Sequence, residues 1–377
     1  MKFIHLSDLH LGKRLNEFSL IEDQKYILEQ IIKIIDKTSP NGIIIAGDVY
    51  DKSVPSTEAV ALFDNFLFDI AQKNIPLYII GGNHDSQERL SFGGRLLKNN
   101  NIFISPLYNG KVEKKVLTDE FGTLNIYLLP FVKPSLVKKY FPDKNIVSYT
   151  DALKTIIENI NLDTTERNIL VTHQFVTGAT TCESEELSVG GSDNVDASIF
   201  SNFDYVALGH IHSPQNIKEN IRYCGTPLKY SFSEAKHVKS VTLIEIKEKN
   251  NIILSTHQLQ PLHDLREIKG SYEQITLKSN YQNTNLLDYV AITLTNEDPI
   301  PDAVSKLRII YPNLMKLTYD NSKTKLNQNF SGEIEVENKS PIQLFGDFFK
   351  IQNNSEMTKE QKDFITKIIQ EIWEENI

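Results

Sequence analysis

Two short runs, Ile43-Ile44-Ile45-Ala46 and Leu77-Tyr78-Ile79-Ile80, restrict the fold of this chain more than any other feature. Each is apolar at every position and too short for a buried helix. That is the pattern of a strand covered on both faces, as in a parallel sheet. Between them, residues 57 to about 73 have helical spacing and Pro76 closes the connection. Upstream, residues 2–7 read as a first strand. Ser19 with Glu22 is a capping-box pattern, opening a helix with Ile27, Leu28, Ile31, Ile34 and Ile35 at helical spacing. The first 85 residues are therefore β-α-β-α-β. A polar motif stands at each strand's carboxyl end: Asp8-Leu9-His10-Leu11-Gly12, Gly47-Asp48-Val49-Tyr50-Asp51 and Gly81-Gly82-Asn83-His84-Asp85. In open α/β sheets that end is where ligands bind.

The pattern returns further on. Residues 168–172 form a buried strand ending in His173, and residues 204–208 form another ending in Gly209-His210-Ile211-His212. Residues 125–129 read as a strand, 150–161 as a helix and 176–194 as an irregular loop, while 221–224 and 238–246 alternate like antiparallel strands. Beyond about Leu265 no strand ends in His or Asp. There, strands over 267–277, 289–294 and 314–319 with a helix over 302–311 suggest a small separate domain, and 320–329 is polar and reads as a linker. Two amphipathic helices close the chain. Ser340-Pro341 starts one with Leu344, Phe345, Phe348 and Phe349 as its stripe; Thr358 with Gln361 opens the other, with Phe364, Ile365, Ile368, Ile369, Ile372 and Trp373 on one face. Such helices either dock on their own domain or bind another polypeptide.

Composition narrows the class of function. The net charge of −9 argues against a protein that coats nucleic acid non-specifically. It leaves room for an enzyme acting on a phosphodiester, because bound metal can carry the positive charge. No apolar run approaches the roughly 18 residues that span a bilayer, and the amino-terminal stretch is too short for a signal peptide. Two cysteines, Cys182 and Cys224, are too few for a disulfide framework, which points to a reducing, cytoplasmic setting.

Together the strand ends offer Asp8, His10, Asp48, Asn83, His84, Asp85, His173, His210 and His212. Any one histidine is weak evidence. Two pairs spaced i, i+2, with glycines beside three of the motifs, point to a metal site. Mixed imidazole and carboxylate donors suit manganese, iron or zinc more than calcium.

Asp-x-His, Gly-Asp-x-x-Asp, Gly-Asn-His-Asp, a lone His and Gly-His-x-His, in this order, resemble the calcineurin-like metallophosphoesterase superfamily. Within it, the Tyr205–His212 stretch and Tyr223-Cys224-Gly225-Thr226-Pro227-Leu228-Lys229-Tyr230-Ser231-Phe232-Ser233-Glu234 resemble the bacterial DNA nuclease subunits, over about the first 265 residues. The resemblance implies an α/β fold, a metallophosphoesterase β-sandwich flanked by helices, with a small α+β capping domain and C-terminal helices. The expected division is 1–265 nuclease domain, 266–330 cap and 331–377 partner-binding helices. It implies two divalent metal ions, usually Mn2+. One would be held by Asp8, His10, Asp48 and His212, the other by Asp48, Asn83, His173 and His210, with Asp48 bridging. It implies that His84 stabilises the transition state or protonates the leaving oxygen. Asp85 would orient His84, and Asp51 is a candidate outer partner. Lys13, Arg14, Arg89 and Arg95 follow the motif loops and are candidate phosphate contacts.

The implied activity is 3′-to-5′ exonuclease on double-strand ends and endonuclease on single strands or hairpins, in DNA repair and recombination. The implied partners are DNA, an SbcC-type ATPase received by the C-terminal helices in a heterotetramer, and a second copy of the chain docked near the helix after Thr57. No membrane is involved, and the setting is cytoplasmic and nucleoid-associated. No P-loop pattern is present, so ATP dependence would come from the partner. Two other readings use the same residues: a phosphatase for a small-molecule or protein phosphate, and a non-catalytic scaffold.

Overall fold

The computed structural model describes residues 1–185, 194–322, 341–353 and 356–374. They divide into two compact units, Met1–Arg266 and Glu267–Ile377.

The first unit holds two six-stranded sheets. One runs in the order Ile252–Gln258, Ser240–Ile246, Lys2–Leu6, Gly42–Ala46, Leu77–Ile80, Ile102–Ile104. Its last four strands are parallel, and Ser240–Ile246 joins Lys2–Leu6 antiparallel. The other runs Gln215–Lys218, Ile221–Tyr223, Tyr205–Gly209, Arg167–His173, Gly122–Leu129, Glu113–Asp119. Its four central strands are parallel. A single apolar layer joins inward-facing residues of both sheets: Phe3, Ile44 and Tyr78 from the first, Ile126, Ile169 and Tyr205 from the second. This is a sandwich core. Burial on both sides explains why residues 43–46 and strand Leu77–Ile80 are apolar at every position.

Helices Ile21–Thr38 and Thr57–Gln72 bury Ile27, Ile31 and Ile35, and Phe63, Phe66 and Ile70 respectively. Ser56 caps the second by accepting from the Ala59 amide. Helix Tyr149–Asn159 begins at a capping box of Ser148 and Asp151, and packs on the outer side of the second sheet. Both cysteines are free thiols. Among the described residues no helix is long and apolar enough to cross a membrane.

Three local readings need correction. Helix Ile21–Thr38 starts from Leu20 with no side-chain cap, because Ser19 belongs to the short strand Phe18–Ser19 and Leu20 is buried at the helix entry. Strand Ile221–Tyr223 lies parallel to Tyr205–Gly209, while its antiparallel neighbour is Gln215–Lys218. The strand expected over 267–277 stops at Gly270, since Ser271 and Gln274 form a capping box that turns Tyr272–Thr276 into helix.

A three-stranded sheet, Leu265–Gly270, Tyr289–Leu294 and Leu314–Tyr319 in that order, begins two residues before the second unit and continues in it, with the last two strands parallel. Helix Ala303–Arg308 covers it through Ala303 and Leu307, packed with Val290, Ile292 and Tyr311. Helices Pro341–Asn353 and Lys359–Glu374 follow, the second opened by reciprocal bonds between Thr358 and Gln361. Most of the expected linker, the Ser340 cap, the interior of the 176–194 loop and the side chains of Ile372 and Trp373 lie outside the described residues.

Candidate metal centre

Strands Lys2–Leu6, Gly42–Ala46 and Leu77–Ile80 end side by side in one sheet, and Arg167–His173 and Tyr205–Gly209 end side by side in the other. The loops leaving these ends bring the predicted residues together. Asp8, His10, Asp48, His173, His210 and His212 are all buried, and Asn83 and His84 are partly exposed.

Asp48 stands in the middle. Its Oδ2 lies 3.7 Å from His10 Nε2 and 3.2 Å from His173 Nε2. On the first side, His10 Nε2 and His212 Nε2 are 3.2 Å apart. On the second, Asn83 Oδ1 is 2.9 Å from His173 Nε2 and 3.0 Å from His210 Nδ1. Asp8 reaches both sides: its donor atom falls within 4.8 Å of those of His10 and His212, and of those of Asp48 and His173. Its carboxylate also accepts from the His210 amide at 3.0 Å.

Outer contacts decide which ring nitrogen faces inward. His173 Nδ1 is 2.8 Å from the Ala46 carbonyl, an acceptor, so that nitrogen carries hydrogen and Nε2 is left for a ligand. His212 does the same with Ser184 Oγ at 2.9 Å and Glu234 Oε1 at 3.3 Å. His84 Nδ1 donates to the Asp51 carbonyl at 2.9 Å. The His84 amide donates to Asp48 Oδ1 at 2.9 Å and so aims the other oxygen at the histidines.

Two close approaches need glycine. A Cβ on Gly82 would stand 2.1 Å from Asp48 Oδ1, and one on Gly209 would stand 1.9 Å from the Ala46 carbonyl oxygen. The sheets' loops are packed that tightly around the donors.

The donor chemistry fits divalent ions. Burial, together with the charge of His173, pushes His210 down to about 3, and burial pushes His10 far below its ordinary value. Both therefore offer lone pairs at neutral pH, as metal binding requires. His10 Nδ1 has no hydrogen-bond partner in its buried position. Burial works against ionisation of Asp48, but the His173 imidazole beside it overrides this and holds the carboxyl well below the usual range. His173 is lifted to about 9 despite its burial, by the charges of Asp48 and Asp8. Burial carries Asp8 up to about 6. Asp8 and Asp48 thus bring two carboxylates into a buried site, where a bound cation would balance their charge.

The expected pairing of Asp85 with His84 is corrected. Asp85 Oδ2 accepts from the amides of Val49 at 3.1 Å and Gly82 at 3.0 Å, and Oδ1 accepts from that of Tyr50 at 3.0 Å. Its carboxylate is thus a clamp between two motif loops. Three amide donors satisfy a buried carboxylate better than one imidazole does, and the Asp51 carbonyl takes over the orienting of His84. The Asp51 carboxylate holds Lys13 Nζ at 2.8 Å and lies 3.8 Å from His10 Nδ1. Arg14 donates to the Glu17 carbonyl, and Arg89 and Arg95 are exposed. Sequence reasoning missed the Asp51 carbonyl, since any residue supplies one. It also missed Glu234, whose charge gave no sign of burial.

Comparison with known proteins shows the family. Residues 1–214 match the calcineurin-like phosphoesterase family. The chain belongs to it. Residues 261–353 match the type 5 capsule protein repressor C-terminal domain. The SbcD subunit of the SbcCD nuclease from Staphylococcus epidermidis is 36% identical over 98% of this chain and 98% of its own length. The one from Staphylococcus saprophyticus is 34% identical over 100% and 99%. Within the phosphoesterases the chain therefore falls in the SbcD group. Among solved structures, a dimetal phosphatase from Danio rerio is similar at 9% identity, over 70% of this chain and 98% of its own, with a TM-score of 0.42.

Proposed function

We propose that this SbcD-group chain cleaves DNA with two manganese ions. It is a metal-dependent phosphodiester hydrolase, and we assign it 3′-to-5′ exonuclease activity on double-strand ends and endonuclease activity on single strands and hairpins. The observation that carries the reading is Asp48, poised between the His10–His212 pair and the His173–Asn83–His210 group. One ion would be held by Asp8, His10, Asp48 and His212, the other by Asp48, Asn83, His173 and His210. When bound, the two ions supply a nucleophile at neutral pH and neutralise charge on the phosphate oxygens.

The chain's own residues do the rest. His84, fixed through Nδ1 by the Asp51 carbonyl, is partly exposed and places a ring nitrogen within 4.8 Å of donor atoms of His10 and Asp48. His84 donates a hydrogen bond to the phosphate or passes a proton to the leaving oxygen. Asp85 keeps the Asp48 and His84 loops in register. Lys13, Arg14 and Arg89 lie along the DNA backbone.

Residues 266–330 form the cap and residues 331–377 bind an SbcC-type ATPase, giving a heterotetramer in the cytoplasm around the nucleoid. Phe348 and Phe364 are exposed on the two closing helices, which supports a docking role. A second copy docks on the outer face formed with helix Thr57–Gln72, where Val60 and Phe68 are exposed.

The test uses purified chain, Mn2+, a labelled duplex and a phosphate monoester. Duplex cleavage that chelator abolishes and Mn2+ restores is the expected result. Hydrolysis of the monoester alone would replace this reading with a phosphatase. A chain ending at Asn338 keeps basal cleavage and loses capture of an SbcC-type protein; unchanged capture would remove the docking role.

A further inference from the structure

The Tyr223–Glu234 segment has so far no part in the chemistry, yet its last residue is wholly buried against a donor of the metal centre. Glu234 ends a single 3-10 turn, Phe232–Glu234, capped by Ser231. It is 0% exposed, and a buried carboxylate needs partners on both oxygens. Oε1 lies 3.3 Å from His212 Nδ1 and accepts from the Ser184 hydroxyl and, at 3.3 Å, from the Tyr230 amide. Oε2 is paired with Lys239 Nζ. Lys239, 5% exposed, also donates to the His212 carbonyl at 2.9 Å and to Thr226 Oγ1 at 2.7 Å. His212 is thus gripped at its ring by Glu234 and at its carbonyl by the counter-ion of Glu234. Tyr230 belongs to the same segment. It donates its hydroxyl to the Leu9 carbonyl, and its ring stands edge-on to that of His10 with centroids 5.6 Å apart.

Cys182, His212 and Glu234 also place donor atoms within 4.8 Å of one another, which would suit a third cation. The Lys239 ammonium already occupies the cationic place beside Glu234, so the cluster is better understood as a support. The other half of the centre is supported differently: His173 leans on the neutral Ala46 carbonyl.

We infer that Glu234, with Lys239 as its counter-ion, is a positioning residue for the divalent ion on the His10–His212 side. It rests on the metal-centre reading above. Glu234 holds His212 with hydrogen on Nδ1, aims Nε2 at His10, and makes the imidazole a stronger donor. Such outer carboxylates commonly change metal affinity by 10- to 100-fold. The effect falls on one ion of the two, because the contact is made to one side only.

The experiment measures Mn2+ binding to the full chain by titration calorimetry, without DNA. The variant is Glu234→Gln with Lys239→Met. Removing both charges avoids leaving a lone buried ammonium, and replacing a buried pair as a unit is often neutral for stability. The expected result is one binding event weakened about 10- to 100-fold, with the other unchanged. Wild-type affinity at both sites overturns the inference. Should that variant fail to fold, Glu234→Asp keeps the charge near Lys239 but withdraws the oxygen from His212. One weakened site is again expected, and two unaltered sites overturn it. Wild-type chain that binds no divalent ion would instead refute the metal centre itself, which separates the two failures.

Discussion

Substituting Gly82 by alanine tests whether the placement of Asp48 governs activity. The added Cβ would lie 2.1 Å from Asp48 Oδ1 and 2.5 Å from the Asp48 amide nitrogen. Real Cβ contacts do not fall below 3.0 Å, so the carboxylate and its loop must withdraw by about an ångström. Asp48 Oδ2 sits 3.2 Å from His173 Nε2 and 3.7 Å from His10 Nε2, and a shift of that size spoils its shared position. Misplacement by about 1 Å costs on the order of 100-fold in rate. Overpacking a tight interior costs about 1–3 kcal/mol of stability. Gly82→Ala should therefore fold, melt earlier, bind Mn2+ more weakly and cleave the labelled duplex about 100-fold more slowly. Calorimetry and initial rates check both halves. Wild-type rate and metal stoichiometry in a folded variant would refute the claim that this approach fixes the bridging carboxylate.

Other outcomes follow from particular contacts. His84→Ala should lower kcat about 10²- to 10⁴-fold while leaving Mn2+ binding intact, as calorimetry would report. Asp85→Asn should lose about 1–3 kcal/mol in urea unfolding, because an amide cannot accept from Val49, Tyr50 and Gly82 without turning its NH2 group on a donor. Burial, aided by the charge of Arg222, pushes His5 down to about 3, so it stays neutral in the fold and takes up a proton near its ordinary value only on unfolding. Its contribution is present above about pH 6.5 and is lost as pH falls toward 3, by about 2 kcal/mol at pH 5. His5→Gln should flatten that part of the acid stability curve in chelator; equal slopes for the two chains would contradict it.

The parallel strands Gly42–Ala46, Leu77–Ile80 and Tyr205–Gly209 were legible because burial on two faces leaves no polar position in them, and the motifs at their ends were legible because histidine and aspartate rarely cluster there by chance. Strands 289–294 and 314–319 also stand where the pattern put them. Edge elements were not legible. Strand Glu113–Asp119 alternates exposed Lys114, Val116 and Thr118 with half-buried Glu113, Lys115, Leu117 and Asp119, and Ile252–Gln258 has three apolar residues followed by Ser, Thr, His and Gln, so neither shows the long apolar run of a strand buried on both faces. Ser19 and Glu22 have the spacing of a cap, but the burial of Leu20 set the helix start. The partners of His84 and Asp85 were misjudged for a common reason. Backbone carbonyls and amides are on every residue, so a contact to the Asp51 carbonyl or the Val49 amide leaves no mark in the side-chain alphabet.

Four of the donors also occupy backbone that suits them poorly. Asp8, His10, Asp48 and His210 have φ of 52°, 43°, 48° and 102°, a region that favours glycine and costs on the order of 1–3 kcal/mol for other residues. Glycine at any of them would relieve the backbone and remove the donor. What holds them is a lacing of main chain beyond the strand ends: the Asp8 amide to the Gly47 carbonyl at 3.0 Å, His10 to Asp48 at 3.0 Å, Leu11 to Val49 at 2.9 Å, and Asp51 back to Leu11 at 3.2 Å. These bonds extend the pairing of the first two parallel strands through their motif loops. Asp85 then ties the third loop to the second through the Val49 and Tyr50 amides, and the His210 amide closes the ring on Asp8 across the sandwich. The donors are thus set by hydrogen bonds between loops of both sheets. The same sheet order that buries the core also fixes where the ions would sit, so the fold and the centre cannot be altered independently.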